Sequence, residues 1–260
     1  MSQKPGYSMN IAVLLKQTFD TEAKIEIEGG KISSKGVSLI INPYDEYAVE
    51  EALKLKEKNG GEVTIVSVSP LTQDSMRQAL AMGADKGIMV EDPALEGGDE
   101  YTTAVVAAKA VSTIQYDLIL AGWREGSAQV AVRVAEELGL PHVNVVTKLE
   151  IADGKAIATR DIEGGSEVVE VPLPAVITAQ KGLNEPRYPS MKGIMQAKKK
   201  PIQKLSLGDL GLSADQVAAR VKTQACFLPS AKAAGKVIPG EAAEAAVELA
   251  RLLREEAKVI

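Results

Sequence analysis

From Met9 to Leu138, short apolar runs of strand length alternate with segments whose apolar residues recur at helical spacing. That alternation constrains the fold more than any other feature, because strands separated by helices lie parallel and need helices on both faces of the sheet. The spacing predicts strands at Asn10 to Leu15, Val63 to Val68, Gly87 to Val90 and Leu118 to Ala121. A helix is predicted to start at Asn42-Pro43-Tyr44-Asp45, capped by Asn42 or Asp45 and stopped by Asn59-Gly60-Gly61. Others are predicted over about Gln73 to Met82, Asp99 to Thr113 and Ser127 to Leu138. The expected class is α/β, with an open, mostly parallel sheet.

After Leu138 the pattern changes. Val143 to Leu149, Lys155 to Arg160, Glu167 to Val171 and Ala175 to Thr178 read as short strands, with Asp153-Gly154 and Gly164-Gly165 as hairpin turns, so an antiparallel hairpin excursion is expected. Beyond it come a polar, proline-containing stretch from Gln180 to Pro201, a linker, and an alanine-rich C-terminal helix with a narrow stripe at Val247, Leu249, Leu252 and Leu253. A stripe that thin buries little by itself, so the helix is expected to act as an arm on another surface. The domains are accordingly read as residues 1–205 and 206–260.

One cysteine, Cys226, and one histidine, His142, leave no disulfide and no ordinary zinc or iron–sulfur ligand set. No G-x-S-x-G elbow accompanies His142, which reads as a packing residue; no catalytic residue and no metal site are expected. A formal net charge of −5 argues against nucleic acid as a partner. No apolar run approaches the roughly 18 residues of a membrane span, and Met1 to Asn10 lacks the features of a secretory leader, so a cytoplasmic protein without membrane insertion is expected. Electron, hydride or group transfer would have to come from an organic cofactor or a second chain.

Open α/β sheets bind ligands where the carboxyl ends of strands meet helix N-termini. Leu14 to Gln17, Ser67 to Pro70 and Gly122 to Gln129 lie at such ends, with Asn42 to Asp45 entering beside them. Gly122-Trp123-Arg124-Glu125-Gly126-Ser127-Ala128-Gln129 suits a phosphate, through its glycines, its arginine and Ser127 as a cap, although ordinary turn and cap chemistry explains the same residues. Neither G-x-G-x-x-G after a strand nor G-x-x-x-x-G-K-[ST] is present, and spacing alone ends at a nucleotide-sized ligand of open identity. Lys192, Lys198, Lys199, Lys200 and Lys204 read as a solvated face or as a surface for an acidic partner. Ahead of them, two prolines stiffen Asn184 to Met191, with Met191 as an apolar tip.

Four runs carry a family likeness. They are Asn42-Pro43-Tyr44-Asp45-Glu46-Tyr47-Ala48-Val49-Glu50-Glu51-Ala52, Ala79-Leu80-Ala81-Met82-Gly83-Ala84-Asp85, Arg160-Asp161-Ile162-Glu163-Gly164-Gly165, and Leu183-Asn184-Glu185-Pro186-Arg187-Tyr188 followed by Gly193-Ile194-Met195 and Ala197-Lys198-Lys199-Lys200. From about Met9 to Leu212 the chain resembles the β subunit of electron-transfer flavoproteins. The resemblance implies a Rossmann-like, adenine-nucleotide-binding sheet and a heterodimer with an α subunit, embraced by the C-terminal arm. It implies electron shuttling through FAD shared with that subunit, and AMP or a second FAD in this chain. By motif position Leu14, Asn42, Asp45 and Val68 would line the nucleotide, with Gly122, Ser127, Ala128, Gln129 and Val130 at its phosphates and Asp161 approaching the shared flavin. Met191, with Arg187 and Tyr188, would form a docking loop at 183–200 for acyl-CoA dehydrogenases or other flavin dehydrogenases, and a quinone reductase is an implied acceptor. The chain departs from the family at Gly122 to Ser127, a shorter loop without the usual aspartates, which leaves AMP and a second FAD both open. A non-redox nucleotide-binding sensor on the same scaffold is the alternative.

Overall fold

A computed structural model describes residues 8–69, 73–124, 128–232 and 234–260. The elements run β1 (Met9–Leu14), β2 (Gln17–Phe19), β3 (Glu26–Glu28), β4 (Lys31–Ser33), β5 (Leu39–Ile41), α1 (Pro43–Asn59), β6 (Gly61–Val68), α2 (Gln73–Met82), β7 (Lys86–Val90) and α3 (Glu100–Val111). They continue β8 (Leu118–Gly122), α4 (Val130–Leu138), β9 (His142–Ala152), β10 (Lys155–Ile162), β11 (Gly165–Pro172), β12 (Ala175–Ala179), α5 (Met191–Ala197), β13 (Ile202–Leu205) and α6 (Ala242–Glu255). The residues fall into two compact units, one of 1–25 with 33–224 and one of 26–32 with 225–260.

In the first unit, the described residues form a nine-stranded sheet in the order β11-β10-β9-β12-β8-β1-β6-β7-β13. From β9 to β13 every pairing is parallel; only β10 and β11 run antiparallel, as an extension of one edge. The sheet is thus open and mostly parallel, as the alternation of strands and helices predicts. Side chains alternate across β1: Ile11, Val13 and Leu15 pack with α1 and α2, while Ala12 and Leu14 pack with α3 and α4. Burial on both faces is why these strands read as continuous apolar runs.

Three expectations change. Ala175–Ala179 is not part of the antiparallel excursion: β12 inserts parallel between β8 and β9. Direction is invisible to periodicity, and the short β11 to β12 connection resembles a hairpin in sequence. The stretch read as linker after Pro201 supplies β13, which pairs in parallel with β7 at the far edge. His142, read as a packing residue, opens β9 and is exposed. Residues 206–224 remain with the first unit; Thr102 Oγ1 donates to the Val217 carbonyl at 2.7 Å, and Asp99 accepts from the amides of Arg220 and Val221 at 2.6 and 2.8 Å. In the second unit, β3 and β4 pair as a two-stranded sheet, and α6 buries only Leu252.

Gly61 sets the start of the β1–β6 ladder. Its φ is +106°, and a Cβ there would lie 1.9 Å from the Met9 carbonyl oxygen, so only glycine fits. Gly61→Ala is expected to lower stability by about 2–3 kcal/mol, measured from urea midpoints at constant m-value.

Candidate functional site

Chain order runs outward from β1 to β6 and β7, then returns to β8 on the other side of β1, so the switch point lies between β1 and β8. Crevices form at the carboxyl ends of strands at such points. Leu14 ends β1, Val68 ends β6 and Gly122 ends β8, so three of the expected residues stand at the carboxyl ends of neighbouring strands on this side of the sheet. Val130 starts α4 and is buried, with Ala128 and Gln129 just ahead of it. Ala128 has φ +60°, a left-handed conformation that costs a residue with a Cβ about 1–2 kcal/mol. Such backbone is characteristic of loops that turn amides toward a ligand.

Asp45 holds the crevice together. It is completely buried; its Oδ2 accepts the Lys16 amide at 2.8 Å and its Oδ1 the Gly122 amide at 2.9 Å. Asn42 donates from Nδ2 to the Arg124 carbonyl at 3.1 Å, while its own amide donates to the Lys16 carbonyl at 2.8 Å. Both residues therefore tie the entry of α1 to the ends of β1 and β8. Neither caps the helix: Asn42 sits at the capping position with no side-chain cap bond. A Cβ on Gly122 would stand 2.5 Å from Asp45 Oδ1 and 2.6 Å from the Tyr44 carbonyl carbon, so the glycine is required for close packing.

Beside this brace, Tyr44 meets Trp123 edge-on at 5.7 Å, and the Arg124 guanidinium lies 5.2 Å over the Trp123 ring. The indole Nε1 is buried with no hydrogen-bond partner among the described residues. The Arg124 guanidinium thus brings a positive charge against the aromatic pair beside the end of β8. Ser127, expected to cap α4, lies outside the described residues with Glu125 and Gly126; α4 itself begins at Val130, with Gln129 at the capping position.

The other expected residues lie elsewhere. Asp161 is exposed near the tip of the β10–β11 hairpin, several strands from β1. Tyr188 and Met191 are 94% and 78% exposed. Arg187 lies instead against α1, donating to Glu50 and Glu57. Ile194 and Met195, part of the family-like run but given no role from sequence, are also exposed on this segment, and Asn184 of the same run donates from Nδ2 to the Tyr47 carbonyl and to Glu51. The i, i+4 spacing of Met191 and Met195 was the available signal for the second methionine.

Comparison with known proteins adds the following. A family model described as the electron transfer flavoprotein domain matches residues 29–210. The electron transfer flavoprotein subunit beta of Bacillus subtilis (strain 168) is 50% identical over 257 residues, covering 97% of this chain and 100% of that protein. The subunit of the same name from Syntrophomonas wolfei is 49% identical, covering 97% and 98%. A subunit of the caffeyl-CoA reductase-Etf complex of Acetobacterium woodii, CarD, is 38% identical over 89% of this chain and 92% of its own length.

Burial pushes the Asp45 carboxyl from its usual 3.8 up to about 7, against the pull of the two amides, Asn42 and Lys16. A carboxyl whose pKa is raised by folding favours the fold most below its unfolded pKa, and that contribution is lost as pH climbs toward the folded value. Between pH 3.8 and about 7, wild type should therefore lose stability relative to Asp45→Asn as pH rises. The slope approaches about 1.4 kcal/mol per pH unit. Urea unfolding of both proteins across this range measures it; a difference independent of pH would show that folding leaves the Asp45 pKa unchanged.

Proposed function

The chain belongs to the electron transfer flavoprotein family, as a β subunit with a role in electron transfer, and on that premise we propose that it pairs with an α subunit around a shared FAD and holds AMP or a second FAD in its own crevice. The braced switch-point crevice carries this reading. Its residues suit an adenine nucleotide: Leu14, Val68 and Val130 offer apolar walls, and the backbone around Ala128 and Gln129 opens a helix. Arg124 and the Trp123 indole N–H, which has no partner among the described residues, add positive and donor character for phosphate. Flavin supplies the redox chemistry when bound; this chain binds, orients and shields it. Asp161, exposed on its hairpin, is free to approach the shared flavin.

Residues 1–205 act as the nucleotide-binding domain, and 206–260 as linker and arm for the α subunit. The exposure of Phe227 (82%), Val237 (88%) and Val247 (73%) supports an arm that is covered by another chain. The segment 183–200 docks flavin dehydrogenases, of acyl-CoA dehydrogenase type or another, through Met191 and Tyr188, and a quinone reductase is a suitable acceptor. The setting proposed is cytoplasmic; among the described residues no helix is long and apolar enough to cross a membrane. A non-redox sensor would have no use for an anchored, methionine-bearing segment next to exposed lysines.

Co-expression with the neighbouring α subunit, followed by an absorption spectrum and analysis of nucleotides released by acid, tests the reading. One flavin and one AMP per heterodimer identify a simple carrier, two flavins place a second FAD in this chain, and a colourless product would overturn the proposal. Met191→Ala is expected to slow transfer from an acyl-CoA dehydrogenase by about tenfold with flavin content unchanged.

A further inference from the structure

The segment from Leu183 to Lys200 displays apolar side chains with almost no core beneath them. Tyr188, Met191 and Met195 are 94%, 78% and 69% exposed, and the only buried residue of α5 is Ala197. A seven-residue helix does not hold its own shape in water. Its order comes from both ends. At the entrance, Arg187 donates from Nε and Nη2 to Glu50 at 2.8 and 2.9 Å and from Nη1 and Nη2 to Glu57, and its backbone amide also reaches Glu50 at 3.1 Å. Asn184 Nδ2 adds bonds to the Tyr47 carbonyl and Glu51 at 3.0 and 2.9 Å.

At the exit, Lys200 Nζ donates to the carbonyls of Leu80 and Ala84 at 2.9 and 2.5 Å, where α2 ends. Arg77 on α2 answers with bonds to the carbonyls of Ala197 and Lys200 at 2.6 and 2.7 Å. Between them Gly193 rests so close to α2 that a Cβ would stand 2.2 Å from the Ala81 carbonyl. All three guanidinium nitrogens of Arg187 point into this anchor, and Glu50 is 5% exposed, so the fork is short, bidentate and partly desolvated. Breaking it leaves a buried carboxylate without its cation, a much larger loss than at an exposed pair.

We propose that Arg187 is a positioning residue: its fork on Glu50 and Glu57, with Lys200 as the second anchor, sets the direction in which Met191 and Met195 project, and Arg187 does not itself contact the partner. This inference rests on the reading of 183–200 as the docking segment. It gives the segment a fixed shape before any encounter, which lowers the ordering cost of binding.

A double-mutant cycle on the heterodimer tests it, with Arg187→Ala, Met191→Ala and the pair, reading KM and kcat with an acyl-CoA dehydrogenase and amide exchange over residues 188–197. Arg187→Ala should speed exchange in that stretch by about tenfold or more, because a local anchor is lost. KM for the carrier should rise with kcat within about twofold, and Met191→Ala should add less in the Arg187→Ala background than in wild type. Arg187→Lys, which keeps the charge without the planar fork, should behave like Arg187→Ala. Unchanged exchange, or additive effects with full rescue by Arg187→Lys, would overturn the proposal in favour of direct charge contact. Should Arg187→Ala fail to fold, Glu57→Gln, at an exposed position, should move exchange the same way by a smaller factor, and no movement would count against the anchor. Normal transfer by Met191→Ala alone would sink the docking reading, and amide exchange would then decide the anchor on its own.

Discussion

Two oxygens of one buried carboxylate join the carboxyl ends of β1 and β8. The ladder between these strands runs from Ile11 opposite Leu118 to Val13 opposite Leu120. Beyond its last rung, the amides of Lys16 and Gly122 face a region where no strand supplies an acceptor, and a buried amide without one costs about as much as a lost hydrogen bond. Asp45 supplies both acceptors. The rest of the crevice follows from that placement: Gly122 must lack a side chain, Tyr44 is pressed against Trp123, and α1 leaves the sheet at one defined angle. The carboxyl is costly to desolvate, and the cost is visible in its raised pKa.

The same helix also anchors the exposed 183–200 segment. One face of α1 enters the core through Ala48, Val49, Ala52 and Leu53. Its flank offers Glu50, Glu51 and Glu57 to Arg187 and Asn184. The crevice and the exposed methionines therefore hang from one rigid element, the first by its N-terminus and the second by its flank.

The parallel strands were legible because burial on both faces writes itself as a nearly continuous apolar run, as at Leu118 to Ala121. β13 was not, because an edge strand with the pattern Ile-Gln-Lys-Leu has a half-polar sequence and is indistinguishable from a loop. The location of the crevice was readable from strand ends, but the work of its residues was not. Asp45 resembles a cap by position, and only three-dimensional packing shows two amides from distant strands converging on it. Glu50 and Glu51 resemble solvated charge and are buried at 5% and 6%. Lys200 belongs to a lysine run that reads as a solvated face, whereas its ammonium closes the end of α2. In each case the partner is a backbone group or a residue more than a hundred positions away, and local patterns carry no trace of it.

The C-terminal segment poses the opposite problem. Fixing a residue's backbone costs roughly 1–2 kcal/mol, and burying one leucine returns about 1.5–3 kcal/mol. Helix α6 spans 14 residues and buries Leu252, while Val247 and Leu249 remain 73% and 47% exposed. Its internal hydrogen bonds and the Arg251 pairs with Glu248 and Glu255 are of the exposed kind that contribute tenths of a kcal/mol each. An alanine-rich helix of this length is marginal in water when its apolar stripe finds so little to cover it. Within the described residues that stripe is left largely uncovered, so the helix is held by little besides its own backbone hydrogen bonds and exposed ion pairs.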